Sequence, residues 1–310
     1  MKVLILTDGK AGHENQSKAF ARALGCDFDI VPVKFRSKAA KALSYLFDNL
    51  GIRTPALFGG CRPEPGDCGY RAVIGTGSGT FYAAKTAAKI LGVPCGVVLL
   101  PRGYRLKSFD CILAPGFDNP PSAPNVVKIP VNLVAADGAF YEAGVKAFSE
   151  RRGGAAPSAD ATAVIVGGPN KCSTMTPEWM RSRLEEIFAA HKAAGREIWV
   201  TTSRRTPPEV EAVVDSFPFD YKLIYSRDRF NPIPAFVSLA SHLYVTAEST
   251  GMLSEACSFG KAEVHVMDNL NPGPHKFRRF AETCAELGSR KVDLSAEFAA
   301  AKSLLGLDRP

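Results

Sequence analysis

Three short stretches of this 310-residue chain carry side chains able to do chemistry. The first is Asp8-Gly-Lys-Ala-Gly-His-Glu-Asn-Gln-Ser17, which sets His13, Glu14 and Asp8 beside two glycines. An imidazole titrates near neutrality and suits a general base, Glu14 is a second candidate, and Asp8 is placed to orient either one. Asn15 as a simple helix cap is the competing reading, but it does not account for four polar side chains beside two glycines. The second stretch is Ser203-Arg-Arg-Thr-Pro207, with two adjacent guanidiniums suited to phosphate. The third runs from Tyr244 to Lys261: a short apolar strand, a Glu248-Ser-Thr-Gly251 turn, then a helix closed by Gly260. Free amides at such a helix mouth, together with the positive end of the dipole, make a ready anion site. Glu255, one turn further in, adds a carboxylate able to accept from ribose hydroxyls. An ordinary, well-capped βα turn fits the same pattern.

The elements that must position these groups alternate. Val3–Leu6 reads as a strand buried on both faces, followed by the polar loop and a helix over Lys18–Leu24. Phe28–Val33, Ala72–Ile74 and Pro94–Leu100 read as further strands, and Lys34–Leu50 as one amphipathic helix. The loop Gly75-Thr-Gly-Ser-Gly-Thr80 either cradles an anion or packs a helix close to the sheet, and no Gly-Lys-Ser/Thr follows to make it a Walker motif. A helix over Gly138–Phe148 leads into the Gly/Ala/Pro-rich segment Arg151–Asp160, after which the rhythm restarts. This predicts an α/β protein of two Rossmann-like domains facing across a cleft, 1–153 and 154–310, with the last helix free to pack back on the first domain.

Hydrophobic residues make up 46% and charged residues 22%, which excludes a disordered chain. No apolar run reaches the roughly 18 residues of a membrane span, and the start reads as a strand rather than a signal peptide. The net charge of +7 favours an anionic partner, but no aromatic-interleaved basic motif points to nucleic acid. Lys34, Arg36, Lys38 and Lys41 gather at the front of the predicted helix, either as a solvated face or as a patch resting on anionic lipid. Eight cysteines read as reduced packing residues of a cytoplasmic protein. Cys61 and Cys68 bracket a Pro/Gly-rich loop and could pair or share a metal, although no second Cys/His pair lies near them.

Taken together, Asp8–Gln16, Gly75-Thr-Gly, Gly167-Gly-Pro, Thr202–Pro207, Asn231-Pro232 and Thr246–Ala256 fall in an order that resembles the elongated-mitochondria fission-factor family and its bacterial relatives. That family looks like a branch of the GT-B glycosyltransferases. Glu248 stands where the family more usually has Asp, and Gly251 where it has Ser. The resemblance implies a nucleotide-diphosphate sugar as donor, held by the C-terminal domain, with an acceptor on the N-terminal side. Gly168, Ser203, Arg204 and Arg205 would then surround the diphosphate, Ser249, Thr250, Gly251 and Met252 would meet it from the helix mouth, and Glu255 would hold the ribose. A His after a Gly-rich first loop also occurs in the peptidoglycan N-acetylglucosaminyltransferase, which supports His13 as base. Fixed amides and guanidiniums can stabilise a departing nucleoside diphosphate without a metal ion, so no metal and no cofactor are expected. The basic residues hint at a lipid-linked acceptor and peripheral contact with the inner membrane through 34–50. A nucleotide-sugar epimerase and a non-catalytic scaffold are the competing classes.

Overall fold

Val3, Leu4, Ile5 and Leu6 are all buried, as a strand must be when helices cover both faces of a parallel sheet. They form β1 (Lys2–Thr7) of a computed structural model that describes residues 1–60, 69–154, 158 and 160–308. There follow α1 (Ala11–Ala23), β2 (Asp27–Pro32), β3 (Lys34–Phe35), α2 (Lys38–Asn49), β4 (Phe58–Gly59), β5 (Tyr70–Thr76), α3 (Phe81–Leu91), β6 (Cys95–Val98), β7 (Cys111–Pro115) and β8 (Val126–Ile129). Six of these strands make one parallel sheet in the order β2-β1-β5-β6-β7-β8, and β3 pairs antiparallel with β4. The strand order reverses between β1 and β5. In open α/β sheets the crevice at the carboxyl ends of such a pair is where ligands bind.

Two elements here differ from the sequence reading. The first helix begins at Ala11, not Lys18, so His13 and Glu14 lie in its opening turn rather than in a loop. Gly12 is tolerated there because the first amides of a helix have no intrahelical partner to lose. The stretch 34–50 is not one helix. Ser37 is extended and its hydroxyl accepts from the Ala40 amide at 3.0 Å, so α2 starts at Lys38, and Lys34 and Arg36 lie before it. The inner side of α2 is fixed by Asp48, fully buried, whose carboxylate lies 2.7 Å from Lys85 and 3.0 Å from Arg53.

The second unit holds α4 (Gly138–Arg151), β9 (Thr162–Ile165), α5 (Pro177–Lys192), β10 (Ile198–Thr201), α6 (Pro208–Ser216), β11 (Tyr221–Leu223), α7 (Ile233–Leu239), β12 (His242–Thr246), α8 (Thr250–Ser258), β13 (Glu263–Met267) and α9 (Lys276–Leu287). Its five strands are parallel in the order β11-β10-β9-β12-β13, with the reversal between β9 and β12. The final helix, α10 (Ser295–Leu304), belongs to the first unit, where Ala301, Leu305 and Leu307 join Phe20 and Leu113 in the core.

The units are Met1–Ala135 with Asp293–Pro310, and Ala136–Val292. The division therefore falls before α4, not within Arg151–Asp160. Packing decides this: Tyr141 stacks on Phe259 at 3.6 Å between centroids, and Phe148 packs on Trp199 and Phe236 at 5.2 and 5.7 Å. Glycine and proline mark a break in the chain, but they do not say which core the preceding helix joins. Cys61 and Cys68 lie outside the described residues.

Candidate functional site

At the reversal between β9 and β12, three loops are tied to one another through Glu248. This side chain is buried, and its Oε1 accepts from the Gly168 amide at 2.8 Å, the Ser249 hydroxyl at 2.8 Å and the Thr246 hydroxyl at 3.1 Å. Its Oε2 accepts from Asn269 Nδ2 at 2.8 Å. Glu248 is thus an internal strut rather than a group turned toward a ligand. The two glycines it braces are required by close approach. A Cβ on Gly167 would collide with Glu248 and Ser249, and one on Gly168 would collide with the Arg205 backbone.

The loop after β10 locks onto the same glycines. The Thr206 hydroxyl donates to the Gly167 carbonyl at 2.5 Å and accepts from the Ser203 amide at 2.8 Å. Pro207, not Thr206, holds the N-cap position of α6. Arg205 donates to the Gly168 carbonyl at 2.9 Å and keeps its other guanidinium nitrogen 3.9 Å from Glu248. Beside this knot lies a cavity of about 270 Å³ whose wall includes Ser203, Arg204, Arg205, Tyr225, Arg229 and Met252. The amides of Gly251 and Met252 fall in the first turn of α8, among those a helix leaves without an intrahelical acceptor. Three guanidiniums and a helix N-terminus gathered at one sheet edge are groups whose chemistry suits a multiply charged anion.

The structure brings Gly168, Ser203, Arg204, Arg205, Ser249 and the start of α8 together, with Thr250 as its first residue. Glu255 is placed elsewhere: Met252 forms the cavity wall, while Glu255 lies half-buried against Tyr141. Burial raises its carboxyl above the ordinary range, with the Tyr141 hydroxyl acting the other way. Burial and the Glu255 charge likewise raise the Tyr141 phenol. Tyr225, Arg229 and Phe230 are among the cavity residues that sequence reasoning missed. They follow β11, so the alternation itself places them at the carboxyl edge. Thr202 holds that segment, accepting from the Tyr225 amide at 2.8 Å while donating to buried Glu211 at 2.6 Å.

In the first unit the reversal between β1 and β5 carries Asp8 and His13. The His13 Nδ1 lies 3.1 and 3.0 Å from the two Asp8 oxygens, and Lys10 Nζ is 3.2 Å from Oδ2. Burial works against ionisation of Asp8, yet Lys10 and His13 together hold its carboxyl below the usual carboxylate value. The loop after β5 closes on the pair. A Cβ on Gly77 would strike the His13 ring, and one on Gly79 would come within 2.7 Å of Asp8 Cβ. Close packing is therefore what those glycines permit. The two Asp8 oxygens thus engage Nδ1 of the ring and leave Nε2 outside that pair. Glu14 instead pairs with Lys18 at 2.7 Å, which lowers its pKa and makes it the poorer base. A cavity of about 710 Å³ opens here, lined by Asp8, Phe35, Arg36, Lys38, Lys41 and Gly60 among others. Lys41 is held in place by a 3.0 Å bond to Ser78.

Two parallel α/β units, each with its loops gathered at a strand-order reversal, define the GT-B class of fold. The whole chain is similar to a structure described as a "putative UDP-N-acetylglucosamine 2-epimerase" from Listeria monocytogenes, at 11% identity and TM-score 0.55 over 99% of this chain and 95% of that one. It is also similar to the UDP-GlcNAc 2-epimerase from Neisseria meningitidis bound to UDP-GlcNAc, at 13% identity and TM-score 0.49 over 99% and 98% of the two chains. A model of the mitochondrial fission ELM1 family matches residues 11–297, and the chain belongs to that family. An uncharacterized protein of Rickettsia prowazekii (strain Madrid E), RP120, is 30% identical over 123 residues, which are 37% of this chain and 34% of that protein. No described helix is long and apolar enough to cross a membrane.

Proposed function

We propose that the chain is a glycosyltransferase that moves a sugar from a nucleotide-diphosphate sugar, bound by the Ala136–Val292 unit, to an acceptor taken up by the other unit. The observation that carries this reading is the set of guanidiniums and helix amides beside Gly167-Gly168. When the glycosidic bond to the donor breaks, the departing nucleoside diphosphate gains negative charge. Arg204, Arg205, Arg229 and the first amides of α8 sit where fixed donors would stabilise it, without a metal ion or other cofactor. Glu248 acts on this site indirectly, by fixing the backbone that carries Gly168 and Ser249. In the same reading His13 takes the proton of the acceptor hydroxyl, while Asp8 orients the ring and stabilises the imidazolium. Glu255, set beside Tyr141, offers a carboxyl for the ribose only if the nucleoside reaches past Met252.

The acceptor is proposed to be lipid-linked. Leu43 and Leu46 on α2 and Leu50 at its C-cap recur on one face and are 42%, 53% and 64% exposed, with basic Lys38 at the start of the same helix. Such a face suits peripheral contact with an anionic bilayer from the cytoplasm. The similarity to the Listeria structure favours a second reading, a nucleotide-sugar epimerase, which needs no acceptor. Incubation with labelled donors separates them. Transfer requires membranes and yields free nucleoside diphosphate, whereas an epimerase changes the sugar of the donor alone. A chain that binds donors and does neither is a scaffold.

A further inference from the structure

At the amino ends of β12 and β13, away from the loops just described, three metal-binding side chains meet on one face of the sheet. The parallel register pairs His242 with Glu263 and Tyr244 with His265. Side chains alternate along a strand, so these four share a face, while Leu243 and Val264 turn into the core. His242 Nδ1 is 3.1 Å from His265 Nε2, and Glu263 Oε2 is 3.6 and 3.8 Å from those two nitrogens. A triangle with these edges has a centre about 2.0 Å from every corner, which is the bond length of Zn²⁺ to imidazole nitrogen and to carboxylate oxygen. All three ligand atoms thus surround one point at coordination distance.

We propose that His242, Glu263 and His265 form a binding site for a divalent transition-metal ion of the Zn²⁺ type, with solvent as the remaining ligand, which pins the edge strand β13 to β12. Two imidazoles and one carboxylate suit Zn²⁺ and do not suit Mg²⁺, which takes oxygen ligands in octahedral geometry. The side chains remain accessible to an ion, with His242, His265 and Glu263 at 19%, 30% and 50% exposure. A stacked aromatic ring braces one of them. Tyr244 stacks on His265 at 4.4 Å and 15°, and its hydroxyl lies 2.9 Å from His191 Nε2. Arg196 donates to His191 Nδ1 at 3.3 Å, which leaves the proton on Nε2 facing Tyr244. The sequence reading expected no metal. His242 and Glu263 are 21 positions apart, and only the strand register brings them together.

The test is calorimetric titration of the untagged, chelator-treated full chain with Zn²⁺, and with Mg²⁺ as control. One Zn²⁺ per chain is expected, with a raised thermal midpoint and no response to Mg²⁺. His265→Ala and Glu263→Gln should each weaken Zn²⁺ binding at least about tenfold. Glu263→Gln preserves the shape of a half-exposed side chain, so it reports on binding even if His265→Ala disturbs the strand. Substituted Co²⁺ should show a tetrahedral spectrum without thiolate charge transfer. Absence of stoichiometric binding, binding untouched by both substitutions, or a thiolate band that places the ion on cysteines such as half-buried Cys172 would each overturn the proposal.

Discussion

Glu248 shows how one residue can control a site it does not face. Its two oxygens satisfy four donors, from Gly168, Thr246, Ser249 and Asn269. Glu248→Ala leaves those buried donors without acceptors, at about 1–3 kcal/mol for each that water does not reach. Urea unfolding should show a loss of at least about 3 kcal/mol. Glu248→Gln should be much milder, because the buried Asn269 Oδ1 has no partner and the Asn269 amide can turn it toward the new NH₂. Equal loss in both variants would mean that the charge itself is required. Asp8 gives the pH-dependent counterpart. Its folded pKa lies below the ordinary 3.8, so its contribution to stability is full above that value and disappears as pH falls through the folded one. The stability gap between the wild type and Asp8→Asn should therefore narrow in acid below about pH 4. A gap that stays constant down to pH 2 would show that Lys10 and His13 do not stabilise the ionised carboxylate.

At the scale of elements, α2 has an inner side fixed by the Asp48, Lys85 and Arg53 cluster and an outer side that shows Leu43, Leu46 and Leu50 to solvent. Substitution of Leu46 and Leu50 by Ser changes only the exposed side. It should leave the unfolding free energy within about 0.5 kcal/mol of wild type, while sharply reducing cosedimentation with anionic vesicles. Unchanged cosedimentation would show that α2 is an ordinary surface helix. The alternation of strand and helix was legible because buried parallel strands such as Val3–Leu6 are continuously apolar. Helix starts were less so. Gly12 and His13 read as loop because propensity says little about a first turn, and the Ser37 cap was hidden inside a run of basic residues. The anion-ready end of α8 was visible from its turn, as were Arg204 and Arg205. The inward placement of Glu248 was not, since it depends on Gly168 and Asn269 arriving from 80 and 21 residues away.

For the whole molecule, the division at Ala135/Ala136 and the return of α10 to the first unit change what can be expected to fold alone. A fragment covering 136–292 keeps Tyr141 on Phe259 and Phe148 on Trp199, and should unfold cooperatively. A fragment covering 154–310 lacks α4, exposes those rings, and carries α10 with no core to join; it should aggregate or lack a cooperative transition. The reverse result would restore the division suggested by the Gly/Ala/Pro segment. The central claim, a nucleotide-diphosphate sugar beside Gly167-Gly168, is tested most directly by a thermal-shift panel of UDP, GDP, CMP and ADP sugars on the full chain, with Arg204→Ala and Gly168→Ala alongside. A donor at about 100 times its dissociation constant should add about 2.7 kcal/mol of stability to the wild type, and much less to either variant. No response to any donor, or a response that both variants retain in full, would contradict it.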